Sequence, residues 1–178
     1  MLSAEALKQI DREIAKYPPD QKQSAVMSAL ALAQEEHGWL STEVMDAVAK
    51  YLDMAPVAVY EVASFYTMYN LQPQGRFKIV LCTNLPCALS GATVAAEHLQ
   101  RRLGVGFNET TGDGKFTLKE GECMGACGDA PVLIVNDRRM CSWMNDAKLD
   151  ELVDELSQAA DRGEGRRGHG ERGREAEA

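Results

Sequence analysis

The chain has 178 residues, room for one large domain or two small ones, and its 45% apolar and 26% charged residues exclude a collagen-like, mucin-like or fully disordered protein. Apolar stretches such as Ala29 to Ala33 and Val132 to Val135 fall far short of the ~20 residues that span a bilayer, and no basic-then-apolar leader opens the chain, so neither a membrane span nor a secretory signal is expected. Nineteen Lys and Arg against 27 Asp and Glu leave a charge of −8, which argues against a general nucleic-acid binder and suits a cytosolic protein or one with an acidic docking face.

The first 72 residues read as helices. Leu7, Ile10, Ile14 and Tyr17 recur at helical spacing after Ser3, until Pro18-Pro19 stops the run. Asp20 with Gln23 suits the capping pair of a second helix, with Ala25, Val26, Ala29, Leu30 and Ala33 on its apolar side and Gly38 at its end. Ser41 suits the cap of a third helix carrying Val44, Val48 and Leu52. Pro56 suits the first turn of a fourth, carrying Val59, Val62 and Phe65. Four short helices with brief connections predict an N-terminal four-helix bundle over residues 1–72. None of its charged residues falls at a spacing that suggests catalysis.

The pattern changes at Pro73-Gln74-Gly75. Phe77 to Leu81 is a β-type run, and Ser90-Gly91 leads into a helix from about Ala92 to Leu103, with Val94, Ala95, Leu99 and Leu103 on one side. Gly112-Asp113-Gly114 is a turn, and Phe116 to Lys119 is a second strand in which Phe116 and Leu118 alternate with polar neighbours. Val132 to Val135 is a third, turned by Asn136-Asp137 into a fourth near Arg139 to Trp143. Asn145 caps a final helix carrying Leu149, Leu152, Val153 and Leu156. A strand–helix–strand unit, then a hairpin and a covering helix, predicts a thioredoxin-like domain over 73–160, and an α+β fold class for the chain. From Asp161 to Ala178 five Gly, five Arg and five acids, with Ala as the one aliphatic type, predict a disordered tail over 161–178 with no net charge.

Five cysteines are too few and too unevenly placed for a disulfide scaffold, and clustered thiols in a reducing compartment point to metal or redox chemistry. Four form two pairs, Cys82-Thr-Asn-Leu-Pro-Cys87 and Cys123-Met-Gly-Ala-Cys127, each just after a predicted strand. Loops beyond neighbouring strand ends can converge, so the pairs can supply four thiolates to one site. Structural zinc usually takes tighter knuckles and a redox dithiol takes C-x-x-C. A 2Fe–2S cluster needs two thiolates on each of two irons and admits wider spacing. Spacing favours iron–sulfur, while a zinc-stabilised interaction module and a thiol–disulfide oxidoreductase stay open. Gly121, Gly125 and Gly128 around the second pair permit close backbone approach and N–H groups aimed at sulfur. Cys141, between Met140 and Ser142, reads as a structural thiol. His37 and Trp39 read as packing and capping residues, His98 as part of a solvated helix face, and His169 as part of the tail. No G-x-G-x-x-G follows a strand, and no P-loop or G-x-S-x-G element occurs, so no organic cofactor site is expected in this chain.

The segments Cys82-Thr-Asn-Leu-Pro-Cys87-Ala-Leu-Ser-Gly91 and Glu120-Gly-Glu-Cys123-Met-Gly-Ala-Cys127-Gly-Asp-Ala-Pro131 closely resemble the E subunits of bacterial NADH:quinone oxidoreductase (respiratory complex I), of the thioredoxin-like 2Fe–2S ferredoxin family. Val62-Ala-Ser-Phe-Tyr-Thr-Met-Tyr69 is similar to that family's link between helices and ferredoxin domain, and the resemblance covers about residues 5 to 158. It implies one 2Fe–2S cluster on Cys82, Cys87, Cys123 and Cys127, and no catalytic residue in the chain itself. It implies an F-type partner subunit that holds FMN and the NADH site, with single electrons exchanged between that flavin and the cluster. It further implies a cytoplasmic place on the inner face of the bacterial membrane, within the peripheral arm of the complex. Similar subunits serve soluble NAD-linked formate dehydrogenases and bidirectional hydrogenases, which are the alternative hosts.

Overall fold

The hydroxyl of Ser3 accepts a hydrogen bond from the Ala6 N–H and opens α1 (Ala4–Ile14), as its position before a periodic run requires. The structure, a computed structural model, describes residues 1–165. α1 ends one turn before Pro18, and the Tyr17 N–H closes a turn on the Ile14 carbonyl. Asp20 caps nothing: a 3-10 turn (Lys22–Ala25) intervenes, and α2 (Val26–His37) begins from it without a side-chain cap. Gly38, at φ 81, ends α2 in the left-handed conformation that glycine adopts without a Cβ clash. Ser41 accepts from the Val44 N–H and opens α3 (Thr42–Leu52). Pro56 opens α4 (Pro56–Phe65), where the missing N–H costs nothing.

The chain divides into two compact units, Met1–Pro73 and the part that begins at Gln74. In the first, Ile10, Leu30, Leu40, Val48, Leu52 and Val59 are fully buried together. Each such side chain is worth about 1.5–3 kcal/mol of burial, so this cluster, rather than helix propensity, holds the helices. Phe65, expected on the apolar side of α4, is 78% exposed. Its ring stands edge-on to Tyr66, with centroids 5.0 Å apart.

Among its described residues the second unit is a mixed five-stranded sheet with two long helices and one single-turn helix. Its strands are β1 (Phe77–Cys82), β2 (Glu109–Thr110), β3 (Phe116–Gly121), β4 (Leu133–Val135) and β5 (Arg139–Cys141), in the order β2-β3-β1-β4-β5. β1 and β3 are parallel, from Phe77 opposite Phe116 to Cys82 opposite Gly121; the other neighbours are antiparallel. One face of the sheet, from Phe77, Ile79, Leu81, Phe116, Leu118 and Leu133, forms a common core with α6 (Thr93–Leu103) and α7 (Asp146–Asp161). α5 is the single turn Leu85–Cys87.

The packing corrects several expectations. β3 runs two residues past Lys119, because its parallel pairing with β1 continues to the end of both strands. β2 was not expected; it exists through its pairing with β3 and the Thr110–Thr117 hydroxyl contact of 2.7 Å. Val94 is 57% exposed, so it does not belong to the buried side of α6. Trp143 lies beyond β5, at φ 53, and is exposed. His98 is not on a solvated face: its Nε2 lies 2.9 Å from Asp150 and its Nδ1 3.5 Å from Asp146, both on α7. The expected tail starts late, since Asp161 completes α7 and pairs with Lys115 at 2.6 Å. A Cβ at Gly165 would stand 2.9 Å from the Phe77 ring, so the backbone still lies against β1 there. The rest of that expectation, including His169, lies outside the described residues. Among the described residues no helix is long and apolar enough to cross a membrane.

Candidate metal centre

Parallel strands send their following loops out of the same end of a sheet. Cys82 is the last residue of β1 and stands opposite Gly121, the last residue of β3, so both cysteine loops leave from one place. Cys82 is buried, and its N–H donates to the Val132 carbonyl at 3.1 Å. Two residues later the chain turns helical, with Pro86 in the first turn and Cys87 at its close. The Ala88 N–H reaches the Asn84 carbonyl at 2.9 Å, and the Ser90 hydroxyl the Pro86 carbonyl at 2.9 Å. The helix toward Leu103 thus begins before Ser90, and Gly91 at φ 98 is a kink inside it rather than its start. Cys87 is buried with Cys82, Ala92 and Val132 in a small core of its own.

The second loop is built differently. Gly121 has no room for a side chain, since a Cβ would lie 2.7 Å from Val80 Cγ1 and 3.1 Å from the Leu81 carbonyl. Cys123 and Cys127 are exposed. Gly125, at φ 71, turns its N–H onto Cys123 Sγ at 3.4 Å, an N–H···S contact of the type expected around an anionic cluster. Cys127 opens a 3-10 turn (Cys127–Asp129). The far end of the loop is pinned where the Trp143 N–H donates to the Asp129 backbone carbonyl at 2.7 Å and the Met144 N–H to the Pro131 carbonyl at 3.0 Å.

All five cysteines are free thiols. Burial, then a hydrogen bond shared with Cys82 and that thiol's charge, push the Cys87 thiol up to about 11. Desolvation, then the neighbouring Cys123, raise the Cys127 thiol, and Cys82 adds to it from the other loop. Cys87 and Cys127 are thus held toward the neutral thiol, and turning them into thiolates calls for compensating positive charge. Among the described residues no three His, Cys, Asp or Glu side chains converge tightly enough to hold a single ion. The donor set is two pairs of soft thiol ligands with a backbone N–H on one sulfur, and it fits a two-iron cluster with two thiolates per iron.

The other singled-out residues lie elsewhere. Cys141 is half-buried against the main core of the second unit, where desolvation raises its thiol and Arg139 works against that rise. His37 is the last residue of α2, and its Nε2 lies 3.5 Å from Glu36. Sequence reading missed four polar residues beside the thiols. The Thr83 hydroxyl donates to Glu120 at 2.7 Å, and the Asn84 amide to Glu122 at 3.2 Å. A short polar pair directly after Cys82, and acids flanking a glycine before Cys123, were the available signal.

Residues 10–157 match the family described as Thioredoxin-like [2Fe-2S] ferredoxin. The E-type subunit of the NADH-quinone oxidoreductase of Rickettsia prowazekii (strain Madrid E) is 43% identical over 143 residues, 80% of each chain. The mitochondrial NADH dehydrogenase [ubiquinone] flavoprotein 2 of Dictyostelium discoideum is 44% identical over 134 residues, 75% of this chain and 54% of that one. Among solved structures, an NAD+-reducing nickel–iron hydrogenase in the H2-reduced state matches with a TM-score of 0.64 at 19% identity, over 72% of this chain and 22% of that one; this likeness concerns the fold alone. With the family matched along most of its length, and relatives above 40% identity over four-fifths of it, the chain belongs to the thioredoxin-like 2Fe–2S ferredoxin family.

Proposed function

We propose that this chain is the electron-transfer subunit of a NADH:quinone oxidoreductase, with Cys82, Cys87, Cys123 and Cys127 as the ligands of one 2Fe–2S cluster. The observation that carries the reading is that both cysteine-bearing loops leave one end of the parallel β1–β3 ladder, Cys82 standing opposite Gly121. Bound there, the cluster supplies a one-electron site for the reduced FMN of an F-type partner, in which NADH is oxidised. The chain's own residues hold and tune that site. Cys82 and Cys87 present two sulfurs from a dry pocket, while Cys123 and Cys127 present two from the exposed loop. The Gly125 N–H stabilises negative charge on Cys123.

The first unit is read as the family's N-terminal four-helix bundle and the second as its ferredoxin module. The chain is placed in the peripheral arm, on the cytoplasmic face of the membrane. The relatives above 40% identity support complex I as the host, since the hydrogenase likeness concerns only the fold.

The test is iron and acid-labile sulfide analysis of the purified chain, with EPR after reduction. Two irons and two sulfides per chain are expected, lost on Ser substitution at any of the four ligand positions and kept in Cys141→Ser. Zinc without sulfide would overturn the reading in favour of an interaction module. Disulfide reductase activity of the isolated chain would favour an oxidoreductase of another kind. Co-purification of a flavin-bearing neighbour with a quinone-linked membrane arm is expected; a formate dehydrogenase or hydrogenase neighbour would move the host.

A further inference from the structure

Within each thiol pair, local bonds fix the geometry. The turn Leu85–Cys87 carries one pair, and the Gly125 and Cys127 turns carry the other. None of these bonds sets the distance between the pairs. The β1–β3 register stops at Cys82 opposite Gly121, and the Thr83 N–H to Gly121 carbonyl contact of 3.3 Å is a long one. Beyond it no ladder bond continues, and the loops meet through the packing of Met124, Ala126 and Ala130 against the core of Cys82, Cys87, Ala92 and Val132. Polar side chains also bridge the loops: Thr83 Oγ1 to Glu120 Oε1 at 2.7 Å, and Asn84 Nδ2 to Glu122 Oε2 at 3.2 Å. The donors sit directly after Cys82 and the acceptors flank Gly121, the residue with no room for a Cβ.

The geometry points to Thr83 and Asn84, with Glu120 and Glu122, as positioning residues: two straps that continue the ladder through side chains and hold the two cysteine loops together for a shared two-iron cluster. The inference rests on the ligand assignment proposed above. It adds that the cluster's retention and symmetry depend on contacts that touch neither iron nor sulfur.

The experiment uses the full-length holoprotein with Thr83→Val, Asn84→Leu and the two combined. Two controls keep the hydrogen bonds: Thr83→Ser, and the pair Glu120→Gln with Glu122→Gln, whose amide oxygens can accept the same donors. Cluster loss to an iron chelator is followed by visible absorbance, the reduced centre by its EPR line shape, and the metal-free chain by thermal unfolding. The combined Val and Leu variant is expected to lose its cluster about 10–100-fold faster, the usual range for outer-shell partners of a metal site. Its EPR line shape should shift while metal-free unfolding stays in place, and both controls should behave as the parent. Parent-like loss and EPR in the combined variant would overturn the inference, as would an equal fall in metal-free stability, which marks a merely structural role. If the combined variant binds no cluster, the single variants decide, and parent-like rates in both overturn it. Cys127→Ser separates the two readings. A retained, unaltered signal there refutes the ligand assignment, whereas its loss beside parent-like strap variants refutes only the straps.

Discussion

A Cβ at Gly121 would meet Val80 Cγ1 at 2.7 Å, the Leu81 carbonyl oxygen at 3.1 Å and Met124 Cε at 3.1 Å. One of these three is backbone and cannot swing away. Gly121→Ala is therefore expected to destabilise the second unit by about 1–3 kcal/mol, the ordinary cost of overpacking, read as a lower midpoint in urea unfolding with an unchanged slope. An unchanged midpoint would mean that β1 and β3 separate freely there. Gly125 has no neighbour within 4 Å of its absent Cβ, and what it supplies is a left-handed backbone that aims an N–H at Cys123. The two glycines were legible as a group in the sequence, but their separate roles, space at one and φ at the other, were not.

At the scale of elements, the second unit is fastened by ion pairs from α7. Arg139 on β5 meets Glu155 on α7 through two bonds of 2.6 and 3.0 Å. The Arg139 hydrogen bond holds the Glu155 carboxyl below the usual glutamate range. A lowered folded-state value means stability that is fully present above the ordinary glutamate pKa, about 4.3, and lost as pH falls through the folded value. Glu155→Gln should therefore flatten the acid fall of the thermal midpoint relative to the parent. The effect is small because both side chains are about half exposed. Parallel acid curves would remove the pair from the stability account. The same scale shows why caps were readable and faces less so. Ser3 and Ser41 act within three residues of themselves. Phe65 and Val94 matched a helical period, yet period alone does not say which turn of a helix meets a neighbour.

At the scale of the whole molecule, the described residues hold separate apolar cores. The second unit's main core lies between sheet and helices, and Cys82 and Cys87 belong to a smaller cluster with Ala92 and Val132. Removing the metal should thus loosen the cysteine loops while leaving the sheet and its helices standing. Chelation under reducing conditions is expected to keep most of the far-UV circular dichroism, lower the thermal midpoint and open protease cleavage within the cysteine loops, residues 83–91 and 122–131. Loss of the whole far-UV signal would show that the small core and the main one unfold together.

The sequence by itself determined the thiol spacing, the helix starts at Ser3, Ser41 and Pro56, the left-handed stop at Gly38 and the strand–helix–strand order, because each is written within a few neighbouring residues. Only the tertiary structure decided what depends on distant chain segments meeting. It brought Cys82 beside Gly121, so that both cysteine loops leave one end of the sheet, and it set Thr83 and Asn84 on Glu120 and Glu122. It formed β2 from its pairing with β3, and turned His98 onto Asp150 of α7. Strand pairing and helix packing join residues dozens of positions apart, and no local pattern of side chains records which partner a strand end or a helix face will find.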